Sequence, residues 1–170
     1  MNQPTEHMSI ESENLIAVSV LDSSTTDYRI HHHAPVMGAD DHANSGLSLD
    51  KSAKTLAFLV AGERLALVAL PATSKLGYGQ LARILSASRS QIKPAPPEAL
   101  ERLGMKPGGV CPFTDDAGVQ VVIDEQVFTF PVIYCGSGDP GFTVEITAEQ
   151  LRRACPAAVI ADVKAVQANA

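Results

Sequence analysis

The chain has 170 residues, 45% of them hydrophobic and 19% charged, proportions that suit one packed core and exclude a disordered or fibrous body. Its formal net charge of -6 runs against the clustered Lys and Arg that broad phosphate contact needs, so nonspecific nucleic-acid binding and a DNA partner are not expected. No apolar run approaches the ~20 residues of a spanning helix. Met1 to Glu13 lacks a basic stretch followed by an apolar one, so a cytoplasmic protein with no membrane partner is expected.

Residues 1–8 read as a flexible tail, 9–163 as a single domain and 164–170 as a second flexible tail. Between Ser9 and Leu21, the spacing of Ile10, Leu15, Ile16, Val18 and Leu21 predicts a short helix, stopped by the polar run Ser23 to Thr26. Tyr28 to His32 reads as extended and ends at Ala34-Pro35, because proline biases the residue before it away from helix. Met37 to Asp50 follows as a loop or short helix.

Two apolar runs, Thr55 to Val60 and Leu65 to Leu70, flank the polar link Gly62-Glu-Arg and predict a hairpin. Their near-continuous apolar character predicts strands covered on both faces, at the heart of the fold. Thr73 or Ser74 can cap a helix that buries Leu76, Leu81, Ile84 and Leu85, although Gly77 and Gly79 weaken its first turn. A further helix starts at Pro97, buries Leu100 and Leu103 and ends at Gly104.

Strands are then predicted over Val119 to Ile123, Val127 to Phe130, Val132 to Cys135 and Phe142 to Ile146. Thr147 and Gln150 have capping-box spacing for a last helix through Leu151 and Cys155. Strands outnumber helices and several are joined by short links, so the expected class is mixed α+β with a mainly antiparallel sheet.

Met105-Lys-Pro-Gly-Gly-Val-Cys-Pro-Phe113 packs two glycines and two prolines into nine residues. Glycines admit positive φ and a close ligand while prolines stiffen their surroundings, so Gly108, Gly109 and Val110 can present N–H groups to an oxyanion. A tight structural turn is the plainer reading. Gly136-Ser-Gly-Asp-Pro-Gly141 is a second glycine-rich turn, without the spacing of a dinucleotide or P-loop fingerprint, and reads as a hairpin turn with Asp139 exposed.

Lys54 stands at the mouth of the first apolar strand, where its ammonium can meet a carbonyl or phosphate; Lys51 is its rival. His31, His32 and His33 do not suggest a metal, because neighbours on an extended strand point to opposite faces, and no cofactor is expected. Asp40, Asp41 and His42 have no metal-ligand spacing. The three cysteines, Cys111, Cys135 and Cys155, form no Cys-x-x-Cys pair and read as reduced thiols. No histidine signature marks Cys111 as a nucleophile, and there is no Gly-x-Ser-x-Gly elbow.

Taken in order, Lys54-Thr-Leu-Ala-Phe58, the second strand, Lys75 to Leu85, Pro107-Gly-Gly-Val-Cys-Pro-Phe113, Val121-Val-Ile-Asp124 and Gly136-Ser-Gly-Asp-Pro-Gly141 resemble the YbaK/ProX family of aminoacyl-tRNA editing proteins. The resemblance runs from about Tyr28 to Asp162. It implies a barrel-like sheet with helices around it, and hydrolysis of the ester of tRNA mischarged with a small amino acid, of the prolyl-tRNA editing type.

By that resemblance Lys54 matches the lysine required for activity, and Gly108-Gly109 the glycine pair lining the aminoacyl pocket. With Gly109 cast beside Lys54 in catalysis, the substrate-binding set is Gly108, Val110, Cys111, Gly136, Ser137, Gly138 and Asp139. Cys111 stands where the family often has serine. The implied partners are the tRNA acceptor end and, given the acidic charge, a synthetase that supplies grip. The rival reading is a noncatalytic module on the same fold that binds an aminoacyl end or a small ligand; a hydrolase using Cys111 ranks behind both.

Overall fold

The computed structural model describes residues 12–166. The first helix, α1 (Ile16–Ser23), buries Ala17, Val18, Val20 and Leu21. Ser24 ends it by donating its hydroxyl to the carbonyls of Val20 and Leu21, each at 3.1 Å, which competes with continuation of the helix. Ser12 is helical as well, ahead of a turn at Glu13 and Asn14, and Ser9 to Glu11 of the predicted helix lie outside the described residues.

The hairpin forms as β2 (Ala53–Val60) and β3 (Arg64–Pro71), after the short β1 (Arg29–His32). Its turn places Ala61 and Gly62 at positive φ, Gly62 at +78°, and Glu63 N–H closes it on Val60 O at 3.2 Å. Ala66 to Pro71 are all buried. Alternation divides them: Leu67 and Ala69 join the larger core with Phe113 and Met105, while Ala66, Val68 and Leu70 join a second core against α2 (Tyr78–Leu85). Fully burying each such leucine contributes roughly 2 kcal/mol.

The next elements are β4 (Ile92–Pro94), α3 (Pro97–Arg102), β5 (Gln120–Asp124), β6 (Ile133–Gly136), β7 (Phe142–Ile146), α4 (Ala148–Ala154) and β8 (Val159–Ala161). They build two sheets, one of order β1-β7-β6 and one of order β4-β2-β3-β5-β8. The smaller sheet is antiparallel throughout. In the larger one, β5 lies parallel to β3 and β8 parallel to β5, because neither return is a tight turn: β3 reaches β5 through α2, β4 and α3, and β5 reaches β8 through β6, β7 and α4. The fold is therefore mixed α/β with one antiparallel and one mixed sheet. A single bridge from Ser52 to Tyr134 joins the sheets; both are open, and no closed barrel forms among the described residues.

Two local expectations are corrected, and two strands and a C-terminal contact are added to them. Val127 to Phe130 is not a strand: Asp124 accepts from Gln126 N–H at 2.9 Å and caps a 3-10 helix over Glu125–Thr129. The helix expected at Thr73 or Ser74 starts at Tyr78 behind Gly77, whose N–H goes to Val163 O at 2.7 Å. The edge strands β4 and β8 are three residues each, too short for period 2 to register in sequence. At the start of the expected C-terminal tail, Lys164 pairs with Asp124 at 2.9 Å, and Ala165 N–H reaches Lys75 O at 2.7 Å. Residues 1–8 and 167–170 lie outside the described residues.

Candidate active site

The hairpin, the smaller sheet and the glycine turns enclose a cavity of about 520 Å³, within the range of small-ligand sites. Lys54 lines it near the start of β2, half-buried and opposite Leu70 in the hairpin register. Among the described residues its ammonium has no ion-pair partner. Burial lowers its pKa from the ordinary lysine value, because desolvation disfavours the charged form. Lys51 is exposed on a 3-10 turn and does not line the cavity.

Gly108, Gly109 and Val110 form a backbone wall of the same cavity. Gly108 adopts φ +82°, and a side chain there would press on Met37 Sδ at 2.8 Å, so this wall position admits only glycine comfortably. The expectation that Gly109 N–H faces an oxyanion is corrected. That N–H closes the turn on Lys106 O at 2.9 Å. Among the described residues, no hydrogen bond takes up the N–H groups of Gly108 and Val110, which stand on either side.

The second glycine turn sits against the first. Lys106 N–H donates to Gly138 O at 2.8 Å, Gly138 N–H donates to Gly109 O at 2.7 Å, and Lys106 Nζ meets Asp139 Oδ2 at 3.1 Å. Gly136 packs so closely on Val110 that an added Cβ would overlap the Val110 carbonyl oxygen. Of this turn, only Gly136 and Pro140 line the cavity. Ser137 is fully buried, its Oγ 2.7 Å from Phe142 O. Gly138, at φ +108°, lies under α1 near Ile16.

Asp139 accepts from Gly141 N–H at 2.8 Å. Burial pushes its pKa up, but that bond and Lys106 outweigh it and hold the carboxyl below its ordinary value. Ser137, Gly138 and Asp139 thus brace the Gly108–Val110 wall from behind. Cys111 also sits behind the wall: it is fully buried, and burial pushes its thiol up to about 12, which keeps it protonated and unsuited to nucleophilic attack at neutral pH.

Sequence reasoning missed the wall that adjoins Gly108. Val36, Met37, His42, Leu47 and Leu49 line the cavity from a segment containing 3-10 helices Ala39–Ser45 and Leu49–Lys51. Its signal was present, as apolar residues punctuating a polar loop. Thr55, on β2, was missed as well, for a threonine in a strand is unremarkable to a sequence reader.

The histidine run divides among different partners. His31 Nε2 lies 2.8 Å from Glu145, His33 Nε2 lies 2.7 Å from Thr143 Oγ1, and His32 stacks on Phe142. Among the described residues, no group of three or more His, Cys, Asp or Glu side chains converges in a metal-ligand arrangement, and no helix is long and apolar enough to cross a membrane.

Fold and cavity define a mixed α/β domain with a small-ligand pocket, one wall of which is glycine backbone beside a lysine. The sequence model of the aminoacyl-tRNA editing domain matches residues 33–154, and the chain belongs to that family. It is 29% identical over 113 residues to the uncharacterized protein YwhH of Bacillus subtilis (strain 168), across 62% of this chain and 66% of that one. The chain thus spans just under two thirds of the length of this curated relative.

Among solved structures, hypothetical protein APE2540 superposes with a TM-score of 0.74 at 22% identity, covering 88% of this chain and 99% of the other. A protein described as "a putative trans-editing enzyme for prolyl tRNA synthetase" superposes with a TM-score of 0.75 at 18% identity, covering 96% of this chain and 99% of the other. At these identities the two likenesses establish the fold.

Proposed function

We propose that this protein is a trans-acting aminoacyl-tRNA deacylase of the prolyl-tRNA editing type, which hydrolyses the ester of tRNA mischarged with a small amino acid. The observation that carries the reading is the juxtaposition, in one cavity of an editing-family domain, of Lys54, without an ion-pair partner among the described residues, and the Gly108–Val110 backbone wall. The cavity's size suits an aminoacyl group with part of the terminal adenosine.

An aminoacyl ester is already activated, so positioning and charge stabilisation are enough. Water adds to the ester carbonyl carbon, and negative charge develops on the carbonyl oxygen. Val110 N–H, with Gly108 N–H, receives that charge, while Gly109 sets the turn geometry through its bond to Lys106 O. Lys54 holds the terminal phosphate or the ester by its ammonium. The intermediate collapses by breaking the bond to the ribose oxygen, which takes up a proton that the water gave up, leaving free amino acid and tRNA.

The substrate presented is the tRNA acceptor end. With a net charge of -6, the domain has little to hold a tRNA body, so a synthetase partner supplies the grip. Deacylation of a panel of mischarged tRNAs tests the reading. Lys54→Ala is expected to abolish turnover; full activity of that variant on every tRNA hydrolysed by the parent protein would overturn the role of Lys54. Binding of the panel without turnover by the parent protein would replace the enzyme with a binding module.

A further inference from the structure

Thr143, half-buried on β7, lines the same cavity as Lys54 and the glycine wall. Gly136 of β6 stands opposite it in the register and packs on Val110, so Thr143 borders the Val110 end of that wall. On the same sheet face, β1 and the residue after it present His31 and His33. His31 meets Glu145, which does not line the cavity. His33 meets Thr143 instead, Nε2 lying 2.7 Å from Oγ1, and reaches the cavity through it.

The two ring nitrogens of His33 have distinct roles. Nδ1 lies 2.8 Å from Ala34 O. A carbonyl oxygen only accepts, so in the neutral ring Nδ1 carries the proton and Nε2 is left as the acceptor. Thr143 therefore donates its hydroxyl hydrogen to Nε2, which leaves the oxygen's lone pairs for a donor from the cavity. His33 N–H also bonds Gly141 O at 3.0 Å, which anchors its backbone. A hydroxyl, an imidazole and a carbonyl that orients it stand in the order that activates a hydroxyl or a water.

The Lys54 ammonium and the Gly108 and Val110 N–H groups are donors, and none of them takes the proton that an attacking water loses. Resting on the deacylase reading of this site, we infer that Thr143 and His33 form the proton relay of the reaction. As the water oxygen bonds to the ester carbonyl carbon, one water O–H bond breaks. Its proton goes to Thr143 Oγ1, and the hydroxyl's own proton passes to His33 Nε2. When the bond to the ribose oxygen breaks, a proton returns through the same two atoms to that oxygen, and the pair ends as it began. Thr143 touches the reacting water and is the catalytic residue; His33 acts through it.

The test is single-turnover deacylation of the mischarged tRNA that the parent protein hydrolyses fastest, by Thr143→Val, Thr143→Ser, His33→Gln and His33→Ala. Thr143→Val and His33→Gln should slow it about a hundredfold or more, while Thr143→Ser, which keeps the hydroxyl, stays within about fivefold of the parent. Affinity of both slow variants for a 3′-amide analogue of aminoacyl-adenosine should stay within about twofold of the parent, since the relay acts on the chemical step. Added imidazole should speed His33→Ala and leave Thr143→Val unchanged. Parent rates in Thr143→Val or His33→Gln, or a loss of analogue affinity in proportion to the loss of rate, would overturn the relay. If Thr143→Val does not fold, His33→Ala decides: recovery with imidazole sustains the relay and no recovery overturns it. Should the parent hydrolyse no mischarged tRNA, the deacylase reading falls. The relay is then judged on p-nitrophenyl acetate, where hydrolysis that needs both residues sustains it, and hydrolysis without them, or none, overturns it.

Discussion

Gly109 rests directly on the backbone of Asp139: a Cβ at Gly109 would lie 2.5 Å from Asp139 N and 2.6 Å from Asp139 Cα. The contact is backbone against backbone, so no side chain can rotate away to relieve it. It sets the separation of the two glycine turns and hence the position of Val110 N–H. Gly109→Ala should therefore destabilise the fold by about 1–3 kcal/mol and reduce deacylation beyond what the stability loss explains. Thermal denaturation alongside single-turnover rates well below the melting temperature separates the two effects; unchanged values of both would show that the contact can relax.

Lys54 gives the activity an alkaline limit. Burial lowers its pKa from the ordinary lysine value, so the ammonium is lost at a lower pH than from a free lysine. Turnover that depends on this cation falls as pH rises, with the fall setting in below about 10.4. Lys54→Arg, which stays charged throughout, should carry the fall to higher pH. Initial rates corrected for spontaneous ester hydrolysis test this, and an alkaline limb shared by both proteins would assign it to another group.

The thiols are expected to be inert. Burial pushes Cys111 and Cys155 up to about 12 and Cys135 well above its ordinary value, so the thiolate that reacts is scarce at neutral pH. Iodoacetamide should leave the folded protein essentially unmodified and fully active, and should label all three cysteines after unfolding. Rapid labelling of Cys111 with parallel loss of turnover would restore it as a nucleophile.

Asp124 and Lys164 tie the chain's last described turn to the central sheet. Asp124 is fully buried, takes Val163 N–H at 2.8 Å and meets Lys164 Nζ at 2.9 Å. Burial lowers the pKa of Lys164, but its hydrogen bonds to Asp124 and Asp162 outweigh this and raise it overall. A pKa raised in the folded state gives stability that is complete below the unfolded value, near 10.4, and is lost as pH climbs through the folded one. Asp124→Asn should cost about 2–3 kcal/mol at neutral pH and show a shallower loss of stability between pH 10 and 12. Urea denaturation across that range measures both; parallel curves would mean the pair contributes nothing through its charge.

Much of this protein was legible locally. The apolar run from Leu65 to Leu70 could only be a strand covered on both faces, Thr147 and Gln150 form their capping box, and the ordered motifs from Lys54 to Gly141 pointed to the editing family that the chain belongs to. These features depend on a residue's own chemistry and its near neighbours, which is what a linear sequence records. Tertiary structure decided what depends on approach through space. It turned Val127 to Thr129 into part of a 3-10 helix through the Asp124 cap. It took Gly109 N–H from the cavity and gave it to Lys106 O, and it moved Ser137, Gly138 and Asp139 from pocket lining to bracing. It also set Lys54 in one cavity with the Gly108–Val110 wall, because residues distant in the chain meet only once it has folded.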